Sequence, residues 1–165
     1  MAVLLPPDWP VTTLQPHFAA PIDLEREVGA ALAAPLNSGR LTELVTPHAR
    51  ACIVFTDATR ACPDGVLVPA ILNELEAAGV SDDHITLLCA TGLHRASTRA
   101  EKIAKLGQAV VERYRVIDHD PARCVILSAE GAKNLSFDGR EIPHPFGTRN
   151  DTSVNSFLLE SDLII

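Results

Sequence analysis

Two short stretches of this chain carry polar side chains of the types and spacing that do chemistry. The first is Thr56-Asp57-Ala58-Thr59-Arg60, directly after the apolar run Ala51-Cys52-Ile53-Val54-Phe55. It offers a carboxylate, a hydroxyl and a guanidinium, and a guanidinium can grip a carboxylate or phosphate through two parallel hydrogen bonds. The second is Ala90-Thr91-Gly92-Leu93-His94-Arg95, directly after Ile85-Thr86-Leu87-Leu88-Cys89. A glycine such as Gly92 lets backbone approach a ligand closely, and an imidazole such as that of His94 is the usual carrier of a proton near neutral pH. Taken singly, each stretch also reads as an ordinary loop, with Asp57 as a cap, Arg60 solvated and His94 on the surface. Brought together, an anion clamp and an acid/base group are minimal equipment for proton transfer at a small carboxylic acid.

The elements around these loops decide whether they meet. Continuous apolar runs of about five residues mark strands buried on both faces, so strands are expected at Ala51–Phe55 and Ile85–Cys89. Between them the spacing predicts a helix from about Leu67 to Ala78, with Pro69 in its first turn and Gly79 as its stop. After the second loop, Thr98-Arg99-Ala100-Glu101 fits a capping box, opening a helix to Leu106, with a further piece from Gln108 to Tyr114. Upstream, five prolines in the first 21 residues exclude helix. A helix starts after Asp23 with apolar Leu24, Val28, Ala31 and Leu32 on one face, and Leu41–Val45 reads as a short turn. Downstream, short strands are expected at Arg115–Ile117 and Val125–Leu127, a hairpin at Asn134–Ile142 around Asp138-Gly139, a helix at about Thr152–Leu159 and a strand at Asp162–Ile165.

This alternation gives an α/β fold: a three-layer, mainly parallel, Rossmann-like sheet with helices on both faces and a small β-hairpin, forming one domain over residues 1–165. Ligands of such sheets bind beyond the carboxyl ends of the strands, where both loops lie.

Composition narrows the partners. The net charge of −7 comes with no cluster of Lys and Arg, so nucleic acid is not expected as a partner. No apolar run reaches the ~20 residues of a membrane span, and Met1–Pro7 lacks the basic start of a signal peptide, so a cytoplasmic protein without a membrane partner is expected. The four cysteines, Cys52, Cys62, Cys89 and Cys124, form no CxxC pair and read as reduced thiols. His119-Asp120 could be an acid/base pair, but neighbouring residues on a strand point to opposite faces, which favours a structural role. His144, between two prolines, reads as a hairpin exit, and His17, His48 and His84 fall in polar loops. There is no GxGxxG, Walker, GxSxG or HExxH motif, which removes nucleotide hydrolysis, serine esterase and zinc protease chemistry.

In order and at matching spacing, Asp57-Ala58-Thr59-Arg60 and Ala90-Thr91-Gly92-Leu93-His94-Arg95 resemble the DxTR and ATGxHR signatures of the amino-terminal domain of the nickel-pincer lactate racemase family. The resemblance extends to Pro35-Leu36-Asn37-Ser38, Leu72-Asn73-Glu74-Leu75 with Gly79, Ile117-Asp118-His119-Asp120 and Glu160-Ser161-Asp162-Leu163-Ile164-Ile165. It implies a racemase or epimerase of 2-hydroxy acids using a nickel-pincer nucleotide that accepts a hydride from C2 while a histidine removes the hydroxyl proton. Carried over by position, His94 is one of two catalytic histidines, Arg60 holds the substrate carboxylate, and Asp57 and Thr59 lie at the cofactor.

The resemblance also implies what these residues do not supply. In the family the second catalytic histidine, the tethering lysine and a nickel-ligating histidine lie beyond a strand resembling Asp162–Ile165. No metal ligand is therefore assigned within this chain, no cofactor is expected bound covalently to it, and the carboxy-terminal domain is an expected partner. Pro143-His144 precedes that strand and lacks the glycine-rich, lysine-bearing continuation, so it takes no such role. Ala61 stands where the family often has proline, leaving the loop after Arg60 less constrained. As a fragment the chain is expected to be inactive; the alternative reading is a stand-alone domain binding small anions without catalysis.

Overall fold

A computed structural model describes residues 8–12, 14, 20–121, 124–127, 135–136 and 152–165. The helix α1 covers Leu24–Ala33, with the Asp23 carboxylate accepting the Arg26 amide, and α2 is a single turn at Leu41–Leu44. The strands β1 (Ala51–Phe55) and β2 (Ile85–Cys89) have the bounds expected of them. The helices α4 (Arg99–Leu106) and α5 (Gln108–Arg113) are separated at Gly107, and β3 is Arg115–Asp118. The capping box forms, with Thr98 Oγ1 accepting the Glu101 amide and Glu101 accepting the Thr98 amide.

Helix α3 spans Asp64–Ala77, one turn earlier than its sequence pattern indicated. Asp64-Gly65 has loop-forming character, but the Asp64 carboxylate is drawn inward by the Thr56 hydroxyl at 2.6 Å and the Lys105 ammonium at 2.6 Å. Glycine suits position 65 because a Cβ would sit a tight 3.1 Å from the Lys105 carbonyl of α4, so the two helices approach closely where one has no side chain.

The strand order β3-β2-β1-β7, where β7 is Leu163–Ile164, is parallel throughout. Ala51, Ile53 and Phe55 line up with Ile85, Leu87 and Cys89 on one face, against Val68, Leu72 and Leu75 of α3 and Leu106 of α4. Burial of each such aliphatic side chain contributes roughly 1.5–3 kcal/mol, and this layer is the core. Arg115 points to the other face in register with Thr86, and its guanidinium lies 4.9 Å from the Phe157 ring of α6 (Ser156–Leu159).

A second, antiparallel sheet has the order β5-β4-β6, with β4 at Cys124–Leu127, β5 at Leu135–Ser136 and β6 at Thr152–Asn155. The expected hairpin over 134–142 lies outside the described residues except for β5, and His17 and His144 also lie outside them. The helix expected over Thr152–Leu159 is corrected: its first half is strand β6, and helix begins only at Ser156. Thr152 and Val154 are β-branched and suit the pairing with β4, while Asn155 ends the strand by accepting the Phe157 amide as an N-cap. Among the described residues no helix is long and apolar enough to cross a membrane. All four thiols are free, and burial pushes those of Cys52 and Cys89 above the ordinary cysteine value.

Candidate functional site

The register of β1 against β2 ends at Phe55 opposite Cys89, and the Ala90 amide donates to the Phe55 carbonyl at 2.8 Å, so the two loops leave the sheet side by side. Strand β3 ends beside them, with Cys89 opposite Asp118 and the His119 amide on the Cys89 carbonyl at 2.9 Å. The connections from β1 run toward β2 and β3, whereas β7 lies on the other side of β1. Such a reversal in a parallel sheet opens a crevice at the carboxyl ends of the strands.

The second loop folds tightly. The His94 amide donates to the Thr91 carbonyl at 3.0 Å, around Gly92 at φ +58°, a conformation that side chains other than glycine's disfavour. Thr91 is buried, and its hydroxyl donates to the His119 carbonyl at 3.2 Å, tying this turn to the end of β3. The turn carries His94 back over the first loop, where its Nδ1 lies 2.5 Å from Asp57 Oδ2.

Asp57 is buried, and both of its oxygens are engaged. Oδ1 accepts the Thr59 hydroxyl at 2.6 Å and the Thr59 amide at 3.1 Å, while Oδ2 faces His94. The Thr59 hydroxyl first, and then His94, hold its carboxyl down to about 2. An ionised Asp57 can only accept, so His94 Nδ1 carries the proton and Nε2 presents its lone pair. The Asp57 side chain is 7% exposed and that of His94 51%, so the anchor is inside and the working ring reaches solvent.

The depressed value makes a prediction about acid stability. Asp57 contributes stability in full above its ordinary 3.8 and loses it as pH falls toward about 2. Thermal melts across that window should therefore fall more steeply for the natural chain than for Asp57→Asn; parallel slopes would contradict the assignment.

The two arginines of the loops differ. Arg95 forms a two-pronged ion pair with Glu101, at 2.9 and 2.6 Å, and belongs to the capping box of α4. Arg60 is exposed, and its guanidinium has no hydrogen bond or ion pair among the described residues. Of the two, Arg60 is the guanidinium left uncommitted among the described residues. Its backbone is fixed from behind: the Lys105 ammonium donates to the Arg60 carbonyl at 2.9 Å and the Cys62 carbonyl at 3.1 Å while pairing with Asp64.

Of the residues singled out from sequence, the structure joins Asp57, Thr59 and His94 in one hydrogen-bonded group and puts Arg60 on the same loop. It also places there residues that the sequence did not single out. Lys105 is one, and Lys102, paired with Asp118 at 2.6 Å, is another. Both read as solvated positions of a polar helix, and the only signal in their favour is their i, i+3 spacing on one face. His119, read as structural, lines with His94 an open depression of about 540 Å³ at the strand ends, large enough for a small metabolite. A smaller cavity of about 130 Å³, lined by Arg50, His84 and Arg115, lies at the opposite edge of the sheet, away from these loops.

Residues 1–132 match the family model described as the lactate racemase N-terminal domain. The chain belongs to the lactate racemase N-terminal domain family. It is 28% identical over 138 residues to a lactate racemase of Thermoanaerobacterium thermosaccharolyticum, covering 84% of this chain and 29% of that protein. It is 32% identical over 131 residues to a lactate racemase of Lactiplantibacillus plantarum, covering 79% of this chain and 28% of that protein. The chain thus spans less than a third of the length of these relatives. The solved structure of the lactate racemase apoprotein from Thermoanaerobacterium thermosaccharolyticum superposes with a TM-score of 0.67 at 26% identity, covering 85% of this chain and 30% of that one. As a member of the lactate racemase N-terminal domain family, the chain shares with that structure a parallel sheet flanked by helices.

Proposed function

We propose that this chain is the amino-terminal part of a nickel-dependent racemase or epimerase of 2-hydroxy acids of the lactate type, completed by a carboxy-terminal domain. The observation that carries the proposal is the 2.5 Å contact of His94 with Asp57, whose loop also bears Arg60, a guanidinium with no partner among the described residues. The names of the relatives, lactate racemases, point to the same chemistry.

The described residues suit the organic part of a nickel-pincer nucleotide better than its metal. Among them no group of three or more His, Cys, Asp or Glu side chains could hold a metal ion, and Asp57 has both oxygens engaged. The exposed side of Thr59 and Arg60 is the surface the organic part would meet. When bound, such a cofactor supplies an acceptor for the hydride at C2.

The chain's own groups do the rest. Arg60 binds the substrate carboxylate and sets the hydroxyl toward His94, supplying orientation. His94 Nε2 takes the hydroxyl proton, or returns it to that oxygen, for one enantiomer, and the second histidine that the family resemblance places in the carboxy-terminal domain does so for the other. Asp57 holds the ring and favours the imidazolium that forms in between, as a buried carboxylate behind a catalytic histidine does.

Arg60→Ala in the full-length, cofactor-loaded protein should raise KM for lactate roughly 10–100-fold, the worth of a charge-assisted pair of hydrogen bonds. An unchanged KM in a racemisation assay would contradict the assignment. A guanidinium with no partner among the described residues also favours, by itself, anion binding without turnover. Lactate binding by the cofactor-loaded protein with no racemisation would select that reading.

A further inference from the structure

The tautomer of His119 is dictated by groups 36 and 38 residues away. The Phe157 amide donates to Asn155 Oδ1 at 3.0 Å, which fixes the orientation of the buried Asn155 amide. The opposite end of that amide, Nδ2, is therefore a donor, and it lies 2.9 Å from His119 Nδ1. A donor facing Nδ1 requires a lone pair there, so the proton of the neutral ring sits on Nε2. The backbone of His119 is held as well, because its amide donates to the Cys89 carbonyl and its carbonyl accepts from Thr91.

His94 and His119 line the same depression, and their partners give them opposite polarity. Asp57 accepts a hydrogen bond from Nδ1–H of His94, which leaves Nε2 of the neutral ring as an acceptor. Asn155 donates a hydrogen bond to the lone pair on Nδ1 of His119, which leaves Nε2–H as a donor. A 2-hydroxy acid carries a matching pair, a hydroxyl that donates next to carboxylate oxygens that accept. We propose that His119 is a substrate-binding residue, donating its Nε2–H to a carboxylate oxygen of the hydroxy acid whose hydroxyl faces His94, and that Asn155 is the positioning residue that fixes this polarity. The inference rests on the reading of this site as one for small hydroxy acids. It gives the chain, beside Arg60 and His94, a third ligand contact that is a neutral donor and not a second base.

The test is a long-range proton–nitrogen NMR spectrum of the full-length, cofactor-loaded protein with labelled histidine, recorded with and without L-lactate. His119 is expected as the Nε2–H tautomer; an Nδ1–H tautomer overturns the proposal. Asn155→Asp keeps an oxygen for the Phe157 amide, and so keeps the cap of α6, but turns an acceptor toward His119. It should convert His119 to Nδ1–H and weaken lactate binding about tenfold, the worth of one hydrogen bond to a charged group. His119→Gln, which retains an N–H donor, should bind lactate better than His119→Ala; equal binding by the two overturns the proposal. Lactate shifting the His94 signals but not those of His119 overturns this inference alone. Lactate shifting neither overturns it together with the reading of the site.

Discussion

His94→Ala, in a full-length protein loaded with its cofactor, is expected to slow lactate racemisation roughly 10²–10⁴-fold, the range for loss of a general acid/base. The reason is local. The structure supplies one imidazole at this edge whose Nδ1 is anchored to a buried carboxylate, leaving Nε2 ready to take a proton. The substitution removes a side chain that is half exposed, so the fold should survive. Thermal melts alongside the assay check this: lost activity with a preserved Tm supports a proton-transfer role, and undiminished activity removes His94 from the site.

Lys105→Met is expected to act through stability. Lys105 and Asp64 side chains are 13% and 5% exposed, and their contact is 2.6 Å. Burial raises the Asp64 carboxyl, but Lys105 and the Thr56 hydroxyl outweigh it, so the net displacement is downward. Removing the ammonium leaves a buried carboxylate with Thr56 as its remaining strong partner and strips the Arg60 and Cys62 carbonyls of their donor. Breaking one side of a buried pair costs about 3–5 kcal/mol, to be read from denaturant unfolding. Adding Asp64→Asn should recover part of that loss, since the uncompensated charge is then gone. No destabilisation in Lys105→Met, or no recovery in the double variant, would show that the pair does not hold this loop.

Strands β1 and β2 were legible in the sequence as unbroken apolar runs, although β1 is not buried on both faces as such a run suggests, since Val54 is exposed on the side away from Ile53 and Phe55; the parallel fold then placed both polar loops at one edge. Helix ends were legible where side chains make the cap, as at Asp23 and Thr98. Reading failed where distant groups decide. Asp64 joins α3 because Thr56 and Lys105 pull on it, and residues 152–155 become strand because β4 lies alongside. The candidate site divides in the same way. Asp57, Thr59, Arg60 and His94 were visible as residue types beside strand ends. That Asp57 turns inward to His94 was not, since the contact spans 37 residues and depends on Phe55 pairing with Cys89. His119 was set aside for lying next to Asp120 on a strand, yet it sits just past the end of β3, where strand alternation no longer governs its direction.

The central claim is that Asp57 serves His94. The most direct measurement is a comparison of kcat, KM and cofactor content for the natural protein and Asp57→Asn, in full-length form. With Asp57 behind the histidine, kcat should fall roughly 10²-fold or more while KM for lactate and cofactor content change little. Cofactor content falling while kcat per loaded enzyme stays unchanged would instead make Asp57 a cofactor-holding residue and contradict the account.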